Sequence, residues 1–265
     1  MLLWSRGGRA AGAAVALALF AAVYALPFGM IGLAALAGDW NGVLPSHLTF
    51  AHLRAAFGGE SAGELRASVL TGAAASAVAL VAGTWAALAL RTLAAGVRRP
   101  LEALFFLPSA IPSVSAGLGL LVAFSRKPLL LNGTVAIVLI AHLVLVSAFT
   151  FGNVSAGLRR LPSDIEQMAA SLGARPAYVL RRVTLPLLAP YLLAAFSLSF
   201  ALSMGELGAT AMVYPPGWVT LPVGIFGLTD RGAVFDGAAL TVLLGVATLL
   251  VLLAFGRISA PGSAR

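Results

Sequence analysis

Six predominantly apolar stretches, each about 20 residues or longer, run through this chain, and short segments that carry most of its charges separate them. An apolar run of that length can cross a bilayer as a helix, because a helix satisfies its backbone hydrogen bonds within itself. The sequence therefore predicts an all-α, polytopic membrane protein with about six transmembrane helices. The predicted spans are residues 10–37, 67–90, 101–124, 132–151, 187–207 and 237–255.

Composition supports this class and argues against others. Hydrophobic residues make up 60% of the chain and charged residues only 10%, whereas a soluble domain carries about 25% charged residues. The net charge of +8 comes from basic residues that are scattered around the apolar runs. Because they do not gather on one face, no nucleic-acid partner is expected. The chain has no cysteine, which excludes disulfides and thiolate sites.

The basic residues also predict an orientation. Twelve of the 17 lie on one side of the six-span arrangement and five on the other. The positive-inside rule then places both termini and the loop at residues 159–186 in the cytoplasm. We expect residues 1–66 to form an N-terminal span and an external loop, residues 67–255 to form the core transmembrane domain, and residues 256–265 to form a cytoplasmic tail.

The external loop at residues 38–66 contains His47 and His52. Neither histidine has further ligand residues nearby, so a position on the loop surface is favoured over a metal site.

The charged segment at residues 161–186, LPSDIEQMAASLGARPAYVLRRVTLP, has the features of a docking element and not of a span. Ser163 and Glu166 have the spacing of a capping box, Gly173 suits a left-handed helix end, and Pro176 suits the first turn of a second short helix. Four apolar residues share one face of the first helix: Ile165, Met168, Ala169 and Leu172. So short a helix needs a partner to cover that face.

The same segment resembles the cytoplasmic loop of binding-protein-dependent ABC importer permeases. The signature of that family is Glu-Ala-Ala, three residues, Gly, nine residues, an aliphatic residue, one residue and Leu-Pro. The corresponding residues here are Gln167, Met168, Ala169, Gly173, Val183, Leu185 and Pro186. The spacing is kept in full, but Gln167 stands where the family usually has Glu. Glu166 points about 100° away on a helix and is a poor substitute.

The resemblance implies a type I ABC importer permease fold in a bacterial inner membrane. Two permease subunits, identical or homologous, would pair around a pathway, and each would lay its cytoplasmic helix into a cleft on a dimer of ATPase subunits. An extracytoplasmic binding protein would deliver the substrate. The implied ATPase-docking residues are Ser163, Ile165, Gln167, Met168, Ala169, Leu172 and Gly173.

ATP hydrolysis is expected to belong to the partner subunit. The only lysine, Lys127, is followed by Pro128, so the chain cannot form a Gly-x4-Gly-Lys-Ser/Thr phosphate loop. No cofactor and no enzymatic activity are therefore expected of this chain. A membrane-embedded enzyme or a docking scaffold is the alternative from a different class.

Three groups of residues are candidates for a transport pathway. Pro108 and Pro112 would leave carbonyl groups unpaired in the third span, which favours a broken helix lining a cavity, although a merely kinked span is the alternative. His142 lies within the fourth span, where a hydrogen-bonded structural role is favoured over a functional one.

Glu206 is the third candidate, together with the glycines Gly205 and Gly208 that flank it. An ionisable residue near a span is costly, so a place in the pathway is favoured over snorkelling to the interface. The segment Gly-Glu-x-Gly-Ala-Thr resembles one shared by permeases for sulfate, molybdate, polyamines and thiamine.

Residues 214–236 contain too many prolines and glycines for a simple span, and Trp218 suits a membrane interface. Their sequence resembles that of permeases for 2-aminoethylphosphonate. The predicted cargo is accordingly this compound or a related phosphonate, with sulfate or molybdate, a polyamine, thiamine or iron as alternatives.

Overall fold

The structure, a computed structural model, describes residues 6–259 apart from the side chains at positions 6, 163, 258 and 259. These residues form thirteen α-helices and one two-stranded sheet. The helices are α1 (Arg6–Phe20), α2 (Leu26–Ala35), α3 (Ala51–Ala56), α4 (Gly59–Leu90), α5 (Ala95–Phe106), α6 (Ser113–Ala123), α7 (Val135–Arg160), α8 (Ser163–Ser171), α9 (Pro176–Val179), α10 (Leu185–Met204), α11 (Gly208–Val213), α12 (Leu221–Asp230) and α13 (Val234–Ser259). The strands are β1 (Ala37–Asp39) and β2 (Ser46–Leu48).

Among the described residues, five continuous helical segments are long and apolar enough to cross a membrane. They are Gly7–Ala35, Gly59–Leu90, Val135–Arg160, Pro176–Met204 and Val234–Arg257. A bent pair, Ala95–Ala110 and Ser113–Ala123, makes a sixth candidate when it is counted as one span. The prediction of a polytopic all-α protein with about six spans is confirmed, with the small sheet as an addition.

Several helices extend beyond the predicted spans. The second begins at Gly59, not at residue 67, and has Glu60 in its first turn, where a negative charge suits the helix dipole. The fourth ends at Arg160, not at residue 151, and its last turn carries two basic residues. Hydropathy marks the part of a helix that is in contact with lipid, so polar turns that continue the helix are not detected.

The segment after Gly173 also differs from the prediction. Pro176 begins a helix as expected, at a position where its missing N–H costs nothing. That helix is not a separate short element, because it continues through a π-helical turn at Leu180–Thr184 into α10. The chain from Pro176 to Met204 is therefore a single helical segment.

The chain divides into two compact units, of which the first comprises residues up to Ala62 together with Gly224–Gly245. The predicted polar loop contains a hairpin in which Ala37 pairs with Leu48. Gly38 allows this pairing, because a side chain there would lie 2.5 Å from the carbonyl oxygen of His47. The hairpin and α3 correct the expectation of an irregular loop.

The two loop histidines have different surroundings within this unit. His47 lies in the exposed strand β2, whereas the Nδ1 atom of His52 lies 2.6 Å from a carboxylate oxygen of Asp236. His52 therefore joins α3 to the first turn of α13.

The second unit comprises Gly63–Val223 together with residues from Val246 onward, and α7 lies in its core. Phe151 and Val154 on α7 pack with buried residues of α4 and α10. Ile137 and Ala141, nearer the start of α7, pack against Ala209 on α11. Small residues allow this packing: a side-chain carbon at Gly157 would lie 2.6 Å from the Tyr191 ring.

The third predicted span is broken. Pro108 opens a 3-10 turn at Leu107–Ala110, and Ile111 is extended, as a residue before proline prefers to be. Pro112 then immediately precedes α6, and the two helical pieces meet at 102°. This geometry is a break, and not the merely kinked span that was the alternative.

Candidate functional site

The helix α8 ends in the corner that the sequence predicted. Gly173 has a φ of +83°, in the left-handed region where a side chain is disfavoured. Its N–H bonds the carbonyl of Ala170 at 2.9 Å, and the N–H of Ala174 bonds the carbonyl of Ala169 at 3.1 Å. These two bonds define a Schellman motif, so the corner is built by backbone geometry that glycine makes possible.

The outer side of α8 presents apolar side chains to the surroundings. Met168 is 60% exposed and Leu172 is 89% exposed. Leu172 stands between two open depressions of about 450 Å³ and about 410 Å³, which lie on either side of it. Ile165 and Ala169 are half-buried, so the predicted apolar stripe is divided between an inner and an outer edge. Such exposed apolar groups beside concave surfaces suit contact with another protein.

The helix α8 begins at Ser163, but Pro162 and not Ser163 holds the N-cap position, so the predicted capping box of Ser163 and Glu166 is wrong. The Glu166 carboxylate instead bonds Arg91 and Thr184. The side chain of Ser163 lies outside the described part of the structure, and its docking role stays a prediction. Gln167, where the family usually has Glu, is exposed on α8.

Glu166 points to the opposite side of α8 and is held by two other elements. Its Oε1 atom accepts a hydrogen bond from Arg91 Nη1 at 3.2 Å and another from the hydroxyl of Thr184. Arg91 directly follows α4, and Thr184 is a buried residue that ends the π-helical turn before α10. Burial raises the pKa of Glu166, but these hydrogen bonds and the charge of Arg91 outweigh it and leave that pKa below its ordinary value.

A buried polar cluster surrounds His142, the histidine within the predicted fourth span. The ring is 1% exposed; Nδ1 lies 2.6 Å from the Ser203 hydroxyl and Nε2 lies 2.8 Å from the Thr210 hydroxyl. A neutral imidazole has one donor and one acceptor nitrogen, and a hydroxyl can serve either. The cluster therefore links α7, α10 and α11 with both ring nitrogens partnered, as the structural interpretation of His142 expects.

Glu206 lies between α10 and α11 and also has a structural partner. Its Oε1 atom accepts a hydrogen bond from the backbone N–H of Ala209 at 2.7 Å, in the first turn of α11. This contact satisfies one of the donors that the start of a helix leaves unpaired. Gly208 is required there by packing, because a side-chain carbon would lie 2.3 Å from the hydroxyl of Ser113.

Three of the predicted pathway residues line one cavity of about 150 Å³: Pro108, His142 and Glu206. Pro112, Gly205 and Gly208 lie outside that lining in the part of the chain that the structure describes. Pro112 instead directly precedes α6, and Gly208 allows α11 to approach Ser113 and Val114 of α6. A side chain at Gly205 would meet only carbonyl oxygens at 3.8 Å or more.

A second cavity of about 220 Å³ continues along α7 toward Ala156 and includes Asn153. Ser109 and Phe149 belong to the linings of both cavities. The sequence pointed to neither residue, nor to Ser203, which is distant from His142 in the chain. Pro108, which adjoins Ser109, and the threonine of the Gly-Ala-Thr segment are the local signals that could have pointed to Ser109 and Thr210.

A helical protein with five or six spans, a helix broken at two prolines and an exposed helix with a glycine corner has the architecture of a transport permease. Residues 79–261 match the family described as binding-protein-dependent transport system inner membrane component, and the chain belongs to this family. It is a multi-pass inner-membrane protein and the permease component of an ABC importer.

The chain is similar to individual members as well. It is 56% identical to PhnV of Salmonella typhimurium strain LT2 over 98% of both chains. The name of that protein describes it, provisionally, as a permease protein of a 2-aminoethylphosphonate transport system. It is 35% identical to the molybdenum transport permease ModB of Mycobacterium tuberculosis strain H37Rv, over 71% of this chain and 76% of ModB. A bacterial alginate ABC transporter crystallised with its ligand-bound periplasmic protein shares the fold, with a TM-score of 0.75 and 18% identity over 95% of both chains.

Proposed function

We propose that this chain is the permease subunit of an ATP-driven importer for 2-aminoethylphosphonate or a closely related phosphonate. The observation that carries the substrate class is the 56% identity to PhnV, which extends over nearly the whole of both chains. By comparison, the 35% identity to ModB covers 71% of this chain. The similarity to PhnV also extends beyond residues 79–261, the part of the chain that matches the family as a whole.

A separate pair of ATPase subunits supplies the energy. The chain has one lysine, Lys127, and it is followed by proline, so a phosphate-binding loop with a Gly-Lys pair cannot form. Under this proposal α8 lies in the cytoplasm and inserts Met168 and Leu172 into a cleft on the ATPase. The exposure of both side chains and the rigid corner at Gly173 support that role.

The cavity beside His142 is part of the pathway, which a second permease subunit completes. Glu206 lines this cavity, and one oxygen of its carboxylate accepts the hydrogen bond from the N–H of Ala209 at the start of α11. Glu206 is half-buried beside the cavity. A zwitterionic aminophosphonate offers an ammonium group to this carboxylate. The extracytoplasmic binding protein that the family name requires selects the cargo before it reaches the membrane.

Uptake by cells that express the complete importer tests the identity of the substrate. The chain is expressed with its ATPase and binding protein in a host without other phosphonate uptake, and entry of labelled 2-aminoethylphosphonate is measured. We expect uptake that an excess of unlabelled phosphonate abolishes and that sulfate, molybdate and putrescine do not reduce. Uptake that molybdate or putrescine abolishes would overturn the substrate class while leaving the permease function intact.

Capture of the ATPase tests the docking helix. Wild-type chain should co-purify with the ATPase, and the double variant Met168→Asp, Leu172→Asp should not, because two buried charges would face an apolar cleft. Val43→Asp is the matched control, since Val43 is 92% exposed in the hairpin loop on the predicted outer side. Equal capture by wild type and double variant would refute docking through α8.

The orientation can be measured without removing native thiols, because the chain has no cysteine. Val43→Cys should react with a membrane-impermeant maleimide in intact spheroplasts. Ser171→Cys on the exposed end of α8 should react only after the membrane is opened. The reverse pattern would place α8 outside and contradict the proposed docking.

A further inference from the structure

Three side chains from separate elements meet at the inner side of α8, and we call them the Glu166 clamp: Glu166, Arg91 and Thr184. A single carboxylate oxygen of Glu166 accepts hydrogen bonds from both partners. Thr184 is 1% exposed, and the carboxylate and Arg91 are about one quarter and two fifths exposed. The clamp is therefore partly shielded from water, which strengthens its charge-assisted hydrogen bonds.

The two partners of Glu166 come from two spanning segments, Arg91 directly after the end of one and Thr184 within the other. Arg91 continues directly from Leu90, the last residue of α4. Thr184 closes the π-helical turn inside the segment Pro176–Met204. A π-helical turn is an irregular and often functional place in a helix, where its geometry differs from that of the turns on either side.

The clamp gives α8 a side-chain connection to these spans in addition to its backbone connections. Residues Met168 and Leu172 face outward on α8, whereas Glu166 faces inward on the same two and a half turns of helix. The exposed apolar side chains and the clamp therefore lie on opposite sides of one helix of nine residues.

We propose that Glu166 is the positioning residue that transmits movement of α8 to α4 and to the segment Pro176–Met204. The proposal rests on the proposed function, in which the ATPase moves α8. Gln167 on the outer side lacks the charge that the family usually carries there, whereas Glu166 beside it faces Arg91 and Thr184 on the inner side.

The clamp can be tested by separating ATP hydrolysis from uptake in the complete importer with its ATPase and binding protein. Glu166→Ala removes both hydrogen bonds, and Thr184→Val removes one donor with little change in shape. Glu102→Gln is the matched control, since Glu102 forms a similarly exposed pair with Arg98 within a single helix, at 3.7 Å. Substrate molecules imported per ATP hydrolysed is the quantity compared.

We expect the Glu166→Ala protein to capture the ATPase as the wild type does and to hydrolyse ATP. The amount of substrate imported per ATP should fall about tenfold, which corresponds to the loss of charge-assisted hydrogen bonds. Thr184→Val should lower the ratio by about threefold, and Glu102→Gln should leave it unchanged. The exchange Arg91→Glu, Glu166→Arg should restore part of the loss, which a merely space-filling role of Glu166 would not produce.

The outcomes separate this inference from the proposed function. A wild-type ratio in Glu166→Ala, with capture and uptake present in the wild type, overturns the clamp alone. If Glu166→Ala fails to accumulate, Thr184→Val decides: a lowered ratio supports the clamp and a wild-type ratio overturns it. Wild-type protein that captures no ATPase overturns the docking on which the clamp depends.

Discussion

Met168 and Leu172 on α8 are 60% and 89% exposed, whereas His142 on α7 is 1% exposed and bonded at both ring nitrogens. A substitution at either of the first two residues should therefore remove few contacts within the folded chain. His142, by contrast, joins three helices, and its hydroxyl partners are themselves buried. The outer side of α8 is thus free to serve a partner, while the cluster serves the fold first.

This difference separates two kinds of substitution. Changes on the outer side of α8 should alter binding or coupling while leaving the free energy of unfolding nearly unchanged. Changes in the cluster should destabilise the protein before they alter transport, because His142, Ser203 and Thr210 are buried and the loss of one leaves a buried polar partner unpaired.

His142→Ala should have the largest effect on stability. It removes a buried ring, leaves a void and takes a partner from both Ser203 and Thr210, which together should cost about 2–4 kcal/mol. Thermal unfolding of the purified protein in detergent measures the effect. Ser147→Ala is the control on the same helix, because the Ser147 hydroxyl bonds only a carbonyl of its own helix, at 2.8 Å. An unfolding midpoint as high as that of the control would show that the cluster is dispensable.

Gly117→Ala should have the next largest effect. A side-chain carbon at Gly117 would lie 2.7 Å from backbone atoms of Ala209, so α6 and α11 would have to separate, at about 1–3 kcal/mol. Gly119→Ala, two residues along the same helix, has nothing within 4 Å and should be neutral or slightly stabilising. The same thermal measurement compares them, and equal midpoints would mean that α11, which carries Thr210, is loosely held.

Part of this arrangement could be predicted from the sequence. Apolar runs predicted the spans, the segment before Gly173 predicted a short helix, and two prolines predicted the break. These features depend on residues close together in the chain. The left-handed corner at Gly173 is local in the same sense and has the predicted conformation.

The connections between distant residues could not be predicted. Arg91 lies 75 positions from Glu166, and Ser203 and Thr210 lie 61 and 68 positions from His142. Neither periodicity nor composition says which polar groups of separate helices meet. From the sequence, Glu166 was assigned to a capping box with Ser163 and judged a poor substitute for the Glu that the family has at position 167, because its partners Arg91 and Thr184 are distant in the chain.

Gly173→Val should leave the membrane-inserted fold intact but disturb the corner after α8. A β-branched residue at a φ of +83° costs about 1–2 kcal/mol, and a Cβ atom there would have no neighbour within 4 Å, so the strain lies in the backbone. We expect ATP hydrolysis to continue while uptake falls. Gly173→Asn is the control, since asparagine tolerates the left-handed region. Normal uptake by the valine variant would contradict the need for a rigid corner.

Glu166→Gln should have the smallest effect on stability, and its pH dependence identifies the cause. Hydrogen bonds from Thr184 and Arg91, with the charge of Arg91, outweigh burial and hold the pKa of Glu166 below its ordinary value of 4.5. A lowered pKa in the folded protein stabilises it above the ordinary value, and this contribution is lost as pH falls through the lowered one.

The difference in unfolding free energy between wild type and Glu166→Gln should therefore stay constant from about pH 7.5 to about pH 5.5 and shrink below the ordinary pKa. The pair is partly exposed, so the constant difference should be only about 0.2–1 kcal/mol. Thermal unfolding of both proteins from about pH 7.5 to about pH 3.5 measures it. A difference that grows on acidification would mean that Glu166 is protonated in the folded protein, and its bond with Arg91 could not then be a charged one.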